Sequence, residues 1–597
     1  MTSGQSQVNL EQGDSSLPKT GRPVIYGTEG VISSGHYLTS MAGMQMLINN
    51  GNAFDALIAA GFAAAVVEPI ASYSLAAEGV FMLYDKNSGD ILSLSGQGVA
   101  PQKATLRFYK SQGIDRIPTG PGTQAHLSFT VPGVVDAFLS LLERYGTKSV
   151  HEILSPAIKY AEYGIANYEY MLDRLRSPDT QQQFQHYPPG GMEIFYDNGQ
   201  IPKPGSILVQ KALAETMKKM IGGGNERISG IRYARSAFYE GDIAQAIVTC
   251  SQRVGGLLTL EDLSAYRAKF EAPARISYRG YEILGQGTWT QAPVLLQTLK
   301  ILENYDLKSM GHNSAAYIHT ITEALKLAFG DREAYYGDPD FADVPLDGLL
   351  SSSYATERLQ LIDHRNALTE QAAAGQPDRF TKYKPPQVIP KARFAGSHGT
   401  PNADTSGTTH VATADKMGNM VCGTISGGAF NKSVFFPELG CCLSTRIEMF
   451  NNVEGHPNVI EPKKRPRTTL VNYIVLENGN PTMTFGCPGG DNQAQANLQL
   501  MLNVLVFEMN PQQAVEASRF SSQNVVNSFF PHVYEPGRLD LEEQIPDSTA
   551  RELSSLGHTI RKVANCGMGA TVNRRDPEIG VLSSSGDPRR SCYAIGW

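Results

Sequence analysis

Hydrophobic and polar positions along this chain follow the periods of both strands and helices. Apolar-rich runs at 80–84 and 91–95 predict two strands around a turn. Amphipathic spacing predicts a series of helices, and these cover 134–145, 209–220, 242–252, 293–305 and 314–335. The chain therefore mixes strands and helices along its length.

Three further segments differ in composition from these elements. The longest apolar run, 56–67, has 12 residues, which is too short to span a bilayer and predicts a tightly packed buried helix. Residues 179–205 are rich in Gln, Pro and Gly and predict an irregular insertion. Residues 391–407 are rich in Gly, Ser, Thr and Asn. They predict an exposed flexible loop, with a plain linker between domains as the alternative.

A predicted hairpin follows this loop. Its strands cover 408–414 and 420–426. If the turn is centred on Met417, Thr408 lies nine residues before the centre and Ser426 nine residues after it. Antiparallel pairing would then place the two hydroxyl side chains next to each other.

A second predicted hairpin, with strands at 473–476 and 482–485, leads into a glycine turn. Gly489 and Gly490 lie in this turn, and Asp491 is the predicted N-cap of the helix that follows. Glycine lets the backbone approach a ligand closely, and a helix N-terminus leaves N–H groups unpaired. The turn could thus form an oxyanion hole, although most such turns are purely structural.

Composition and charge exclude several classes of protein. The formal net charge is −7, so we expect no nucleic-acid partner. The one cluster of basic residues predicts a solvated loop; it comprises Lys463, Lys464, Arg465 and Arg467.

The seven cysteines include no C-x-x-C pair, which argues against a disulfide framework or zinc site and favours a reducing, cytoplasmic location. Residues 1–23 are polar, lack the apolar region of a signal peptide, and predict a disordered tail. We expect no membrane partner, no metal and no organic cofactor.

Several motifs together resemble the γ-glutamyltransferase superfamily. Gly407-Thr408-Thr409-His410 resembles the start of that family's small subunit, and Pro488-Gly489-Gly490 resembles its oxyanion loop. Further matches, in order and spacing from around residue 25 to the C-terminus, include Val67-Glu68-Pro69, Val131-Pro132-Gly133, Phe238-Tyr239-Glu240-Gly241, Gly255-Gly256-Leu257, Tyr278-Arg279-Gly280-Tyr281, Gly337-Asp338-Pro339 and Asp587-Pro588-Arg589.

The resemblance implies an α+β fold with four αββα layers and a precursor that cleaves itself between Gly407 and Thr408. Residues 24–407 would form the large subunit and 408–597 the small one. Thr408 would be the nucleophile, and its freed α-amine the general base. The matching assigns Ser426 as a hydrogen-bond partner of the nucleophile. It also assigns Gly489 and Gly490 as oxyanion donors. Thr468, Thr469 and Gly428 are assigned to substrate binding.

Departures from the transferase pattern concern the substrate. The family's donor-site arginine follows an Ala-Thr pair, where this chain has Leu106, and its α-amine-binding aspartate corresponds to Met449. Other motifs resemble the branch that contains oxamate amidohydrolase and some cephalosporin acylases, among them Gly96-x-Gly98-x-Ala100-Pro101, His456-Pro457-Asn458 and Lys464-Arg465-Pro466. Arg446 is then the candidate for binding a substrate carboxylate, and a structural ion pair with Glu448 or Glu454 is the alternative.

These expectations define a self-processing threonine amidohydrolase acting on a small amide that bears a carboxylate. A true γ-glutamyltransferase or glutathione hydrolase is the alternative within the class, and a non-catalytic binding protein with the same fold is the alternative outside it. A nucleophilic Cys487 would need a nearby base that the sequence does not identify. The expected partners are the small-molecule substrate and the two subunits of one precursor, and the sequence leaves homo-oligomerisation open.

Overall fold

The computed structural model describes residues 19–115, 117–187, 190–224, 226–377, 388, 391–393, 407–567 and 569–597. Residues 1–18 of the predicted tail and 394–406 of the predicted loop lie outside the described residues. Near the end of the tail, the Gly21 amide donates to the Glu516 carboxylate at 2.6 Å. The Arg22 guanidinium lies 4.6 Å from the centre of the Tyr593 ring. Gly21 and Arg22 therefore make defined contacts within the range predicted as a disordered tail.

Two seven-stranded antiparallel sheets form the centre of the molecule; strands and helices are numbered in chain order. Sheet 1 has the spatial order β23 (Tyr593–Gly596), β2 (Gly30–Ser34), β11 (Thr409–Asp415), β12 (Met420–Ser426), β3 (Glu78–Tyr84), β4 (Ile91–Gly96) and β7 (Lys269–Glu271). Sheet 2 has the order β1 (Ile25–Gly27), β22 (Leu582–Ser584), β21 (Thr571–Arg575), β16 (Asn480–Gly486), β15 (Tyr473–Glu477), β9 (Tyr281–Gly285) and β8 (Ala274–Tyr278).

Smaller sheets lie at the periphery. They are formed by β5 (Ile165–Ala166) with β6 (Ile207–Leu208), β10 (Lys391–Ala392) with β18 (Val533–Tyr534), β13 (Phe435–Phe436) with β14 (Cys441–Cys442), and β17 (Phe520–Ser522) with β19 (Arg538–Glu542) and β20 (Thr559–Val563).

The α-helices fall into two groups along the chain. The first group comprises α1 (Tyr37–Ile48), α2 (Ala53–Val67), α3 (Leu106–Ser111), α4 (Val134–Tyr145), α5 (Val150–Tyr163), α6 (Glu169–Leu175), α7 (Pro178–His186), α8 (Met192–Phe195), α9 (Lys211–Met220), α10 (Arg227–Tyr239), α11 (Asp242–Arg253) and α12 (Leu260–Ala265). The second comprises α13 (Ala292–Leu302), α14 (Leu307–Met310), α15 (Ala315–Tyr335), α16 (Leu346–Leu349), α17 (Ser352–Leu359), α18 (Asn492–Leu505), α19 (Pro511–Glu516) and α20 (Asp547–Ser555).

The two sheets pack face to face through apolar side chains. Met82 and Ala412 of sheet 1 share one cluster with Leu284 and Ile474 of sheet 2. Alternate residues of β3, such as Phe81, point the other way and pack among the first group of helices. Both faces of the sheet are thus covered, which explains why every residue of β3, β11 and β12 is buried.

Helix α2 confirms the buried helix predicted for the apolar run. All 15 of its residues are buried. Asn52 caps its N-terminus by accepting from the amides of Phe54 and Asp55. A side chain at Gly61 would come within 2.3 Å of the Phe138 ring. The small residues of this helix therefore let its neighbours approach closely.

The other long elements agree with their predictions, but the insertion does not. Helix α4 covers the predicted range, and α15 begins one residue later than predicted. The prediction of an irregular insertion at 179–205 is wrong for α7 and α8, where Phe184 and Phe195 pack on each other with ring centres 5.9 Å apart. The burial of these two rings stabilises helices in a segment whose composition indicates a loop.

The prediction of a solvated basic cluster holds for Lys463, which is exposed, but is wrong for Lys464, Arg465 and Arg467, which are buried. Arg465 is 6% exposed and lies 2.7 Å from Asp338 and 3.0 Å from Glu271. Arg467 is equally buried and lies 2.9 Å from Glu333. A buried guanidinium requires such partners, and these carboxylates come from distant parts of the chain.

Two further features are the apolar character of the helices and the state of the cysteines. Within the described ranges, no helix combines the length and apolar character needed to cross a membrane. All seven cysteines are buried and none forms a disulfide.

Candidate active site

The hairpin of β11 and β12 brings two hydroxyl groups together. Thr409 pairs with Ile425 and Ala414 with Met420, which is the register predicted for a turn centred on Met417. At the open end of this hairpin the Thr408 hydroxyl donates to Ser426 Oγ at 3.0 Å. Ser426 Oγ in turn donates to the Ser72 carbonyl at 3.3 Å, so the Thr408 hydroxyl is held in one orientation.

The backbone of Thr408 has an unusual conformation. Its φ angle is +78°, in the left-handed region that a β-branched residue rarely adopts. Its amide donates to the Ala71 carbonyl. A side chain on the preceding Gly407 would lie 2.4 Å from Ser72 Oγ, so a residue without a side chain is required there. Such strain is typical of functional positions.

The glycine turn after β16 faces the same region. Gly489 and Gly490 have φ angles of +128° and +55°, and neither of their N–H groups donates to a residue that the structure describes. Gln291 restrains the turn by donating from Nε2 to the Gly490 carbonyl at 2.9 Å. Asp491 occupies the N-cap position of α18, but its side chain makes no capping bond. Its carboxylate instead accepts from the Ser528 amide at 2.7 Å and pairs with the buried Arg332.

Thr408 and Gly490 both line a small cleft of about 40 Å³, whereas Gly489 is not among its lining residues. Its walls come from the hairpin of β11 and β12, the glycine turn and the 3₁₀ segment Arg446–Met449. The residues that line it are Ser72, Gly407, Thr408, Ser426, Gly427, Gly428, Ala429, Asn431, Lys432, Thr445, Arg446, Glu448, Gly490 and Phe529.

Arg446 lines the cleft and is paired with a residue that the sequence did not indicate. Its Nε lies 2.6 Å from Glu78 Oε1, so the predicted pairing with Glu448 or Glu454 is wrong. Glu78 is fully buried, and burial raises its pKa to about 7 although Arg446 and the Gly98 amide act in the opposite direction. The one available signal was a carboxylate at the start of an otherwise uncharged strand, β3.

A second charged pair lines the cleft. Lys432 Nζ lies 3.4 Å from the carboxylate of Glu448 and 4.4 Å from the centre of the Phe529 ring. Glu448 is 3% exposed. The cleft therefore presents two cations, Lys432 and Arg446, beside one carboxylate.

Some predicted substrate-binding residues lie outside the cleft wall. Gly428 and Arg446 line it, whereas Thr468 and Thr469 are 1% exposed and do not. The Thr468 hydroxyl accepts from the Leu470 amide at 3.3 Å. The carbonyl of Thr469 accepts from Gln291, which also bonds to the glycine turn. The role of these threonines stays a prediction.

The two positions that differ from the transferase pattern do not line the cleft either. Leu106 begins helix α3 and packs with Tyr109 and its apolar neighbours. Met449 is fully buried, and its sulfur lies 3.5 Å from Arg446 Nη1. Glu448, beside it in sequence, provides the carboxylate that faces the cleft.

Cys487 lies close to the glycine turn in sequence but lacks the environment of a nucleophile. It is fully buried, and burial raises the pKa of its thiol to about 12. Its sulfur contacts the Gln493 carbonyl at 3.7 Å. The thiolate that nucleophilic attack requires is therefore strongly disfavoured.

Three comparisons relate the chain to known proteins. The family model described as Gamma-glutamyltranspeptidase matches residues 39–597. The Glutathione hydrolase-like YwrD proenzyme of Bacillus subtilis (strain 168) is 32% identical over 96% of this chain and 99% of its own length. The solved structure of LmbA2991HD is 34% identical with a TM-score of 0.87, covering 97% of this chain and 100% of that one. Cephalosporin acylase from Bacillus halodurans is 27% identical with a TM-score of 0.82, covering 99% of both chains.

The relatives found by these comparisons are N-terminal-nucleophile hydrolases. The chain belongs to the gamma-glutamyltranspeptidase family and is an enzyme of this class. The alternative of a non-catalytic binding protein is therefore set aside.

The environment of Cys487 leads to a testable prediction. Cys487→Ala should retain wild-type kcat, because the thiol is protonated and buried. The native enzyme should also resist thiol reagents until it is denatured, since every cysteine is buried. Turnover before and after treatment with an alkylating reagent is the measurement. Rapid inactivation, prevented by Cys487→Ala, would restore the cysteine hypothesis.

Proposed function

We propose that the chain is a self-processing threonine amidohydrolase that hydrolyses an amide of a small carboxylate-bearing substrate through an ester on Thr408. The observation that carries this proposal is the Thr408 hydroxyl, bonded to Ser426 at 3.0 Å in a cleft that Gly490 also lines. The four-layer αββα arrangement, the division into subunits 24–407 and 408–597, and a cytoplasmic location belong to the same proposal.

Maturation is the cleavage of the peptide bond between Gly407 and Thr408. Thr408 Oγ1 attacks the Gly407 carbonyl carbon and forms an ester as the bond to the Thr408 nitrogen breaks. Water hydrolyses this ester, which leaves a carboxylate on Gly407 and a free α-amine on Thr408. The strained φ of Thr408 favours this step because cleavage relieves a conformational cost of about 1–3 kcal/mol. Since Gly407 lines the cleft in the uncut chain, its release would enlarge the space for substrate.

The mature enzyme would use the α-amine as its base. This amine has an unperturbed pKa of about 8; it accepts the hydroxyl proton as Thr408 Oγ1 attacks the substrate amide. The oxyanion receives hydrogen bonds from the unpaired N–H groups of Gly489 and Gly490. The amine leaving group departs with the proton, and water then hydrolyses the acyl ester. The other titratable groups that line the cleft, Lys432, Arg446 and Glu448, are occupied in ion pairs.

The charges of the cleft suit a substrate carboxylate. Arg446 contacts Glu78 through Nε, and its Nη2 donates to no residue within the described part of the chain, which leaves a donor for a carboxylate oxygen. Lys432 adds a second positive charge. One observation favours the alternative of a glutathione hydrolase: Glu448 lines the cleft and could bind an α-ammonium group in place of Lys432.

The first prediction from this proposal concerns maturation. Thr408→Ala should remain one uncut chain, because it removes the attacking hydroxyl, and wild-type protein should yield a fragment beginning Thr-Thr-His. Intact-mass analysis measures both results, with Thr408→Ser as the control that keeps a hydroxyl and should still cut. Full activity in a chain that stays uncut would disprove the mechanism.

The second prediction concerns the oxyanion turn. Gly490→Val should lower kcat by about a hundredfold, which corresponds to loss of one oxyanion donor worth about 3 kcal/mol. A β-branched residue at φ +55°, with its Cβ 3.4 Å from the Phe529 ring, would distort the turn. Gly89→Val is the matched control, because it imposes similar strain at φ +75° in open space. Equal turnover in the two variants would remove Gly490 from the mechanism.

The third prediction concerns substrate choice. We expect a higher kcat/KM for oxamate or a glutaryl amide than for glutathione, because Glu448 is already paired with Lys432. Arg446→Lys should raise KM, since a point charge loses the bidentate fork. Steady-state kinetics on one cleaved preparation measures both. A tenfold advantage for glutathione would instead favour the glutathione-hydrolase alternative.

A further inference from the structure

A buried arginine near the C-terminus contacts the residue that carries the nucleophile. Arg590 Nη1 donates to the Thr408 carbonyl at 2.5 Å. The Arg590 side chain is 1% exposed, and its Nη2 lies 3.5 Å from Glu68 Oε2. The face of its guanidinium lies 4.8 Å from the centre of the Tyr170 ring. Arg590 does not line the cleft, so binding of substrate does not explain its position.

Glu68 provides the opposite charge at the end of helix α2. It is as buried as Arg590 and accepts from the Thr39 hydroxyl at 2.8 Å. Burial raises the pKa of Glu68, and the positive charge of Arg590 opposes that rise. A side chain at Gly35 would lie 2.0 Å from Glu68 Oε2, so the backbone there is shaped around this carboxylate. A buried pair of this kind is costly to form and very costly to break.

The contact has two consequences for Thr408. The bond to its carbonyl restrains the peptide that follows Thr408 and so supports the left-handed backbone. The carbonyl also belongs to the same residue as the nitrogen that maturation converts into an amine. A permanent positive charge bonded to the carbonyl of the same residue disfavours a second positive charge on that amine.

We infer that Arg590 is a positioning residue that holds the Thr408 backbone for maturation and favours the uncharged form of the freed amine, the catalytic base, while its counter-charge Glu68 limits that effect. This inference rests on the proposed role of Thr408. It assigns a function to two residues that lie behind the nucleophile.

The test also depends on the charges of the other groups near the amine. On the cleft side these are Lys432, Arg446 and Glu448. His36 lies near Arg590, and burial lowers its pKa to about 3, so it remains neutral. Glu68→Gln leaves all of these groups in place, whereas Arg590→Met also removes the positive charge that contributes to the low pKa of His36.

The experiment measures kcat/KM against pH for the best substrate among γ-glutamyl anilide, glutathione, oxamate and a glutaryl amide. It compares wild type with Arg590→Met and Glu68→Gln. Arg358→Met is the matched control, because Arg358 is 3% exposed, lies 3.4 Å from Asp331 and bonds to the Leu327 carbonyl at 3.0 Å, away from the cleft. Maturation of each variant is followed by denaturing gel.

The two variants should move the acidic limb of the profile in opposite directions. Arg590→Met should slow maturation and shift the limb upward by about one pH unit, because the amine is then protonated more readily. Glu68→Gln should shift it downward, because it removes the compensating negative charge. Arg590→Lys should restore the wild-type limb while maturing more slowly than wild type, since the charge remains and the fork is lost.

Each outcome bears on the inference. Unshifted limbs in both variants would overturn it, as would an equal shift in Arg358→Met. If Arg590→Met fails to mature, the pH profile of Glu68→Gln tests the inference, because this variant keeps the bond from Arg590 to the Thr408 carbonyl. Failure of the proposed function is distinguishable, since Thr408→Ala would then be cut or active whatever the pH profiles show.

Discussion

The pairing of β11 with β12 is the constraint on which the candidate site depends. Both strands are central in sheet 1 and buried on both faces. A slip of their register by one residue would turn every side chain to the opposite face of the sheet, so the packing on both faces holds the register. That register places Thr408 beside Ser426. Thr408 is therefore positioned by a buried hairpin at the centre of sheet 1, although the chain before it is a glycine-rich segment.

Around this rigid hairpin, the site is completed by less regular structure. The glycine turn comes from the end of β16 in sheet 2, and the 3₁₀ segment with Arg446 comes from the long connection between β14 and β15. Thr408, just before β11, and Gly490, after β16, line the same cleft, so these two strand ends lie close together. Glycines there allow the close backbone approach that a small cleft requires.

Buried ion pairs hold other parts of the site in place. Glu78 restrains Arg446 on the cleft side, and Glu68 accompanies Arg590 behind the nucleophile. Each pair removes two charges from water, so each must be well organised to avoid a net cost. The two pairs join β3 to the 3₁₀ segment and α2 to the C-terminal region. Ion pairs and apolar packing therefore hold the same segments of the chain in place.

The sequence by itself determined the long periodic elements, the hairpin register and the motifs of the family. These depend on local patterning, on turn chemistry and on the spacing of neighbouring residues, which a linear chain displays directly. The partners of Arg446, Arg465 and Arg590 were decided only by the tertiary structure. Their carboxylates lie far away in sequence, and the strong cost of burying an unpaired guanidinium selects whichever carboxylate the packed sheets and helices bring within reach.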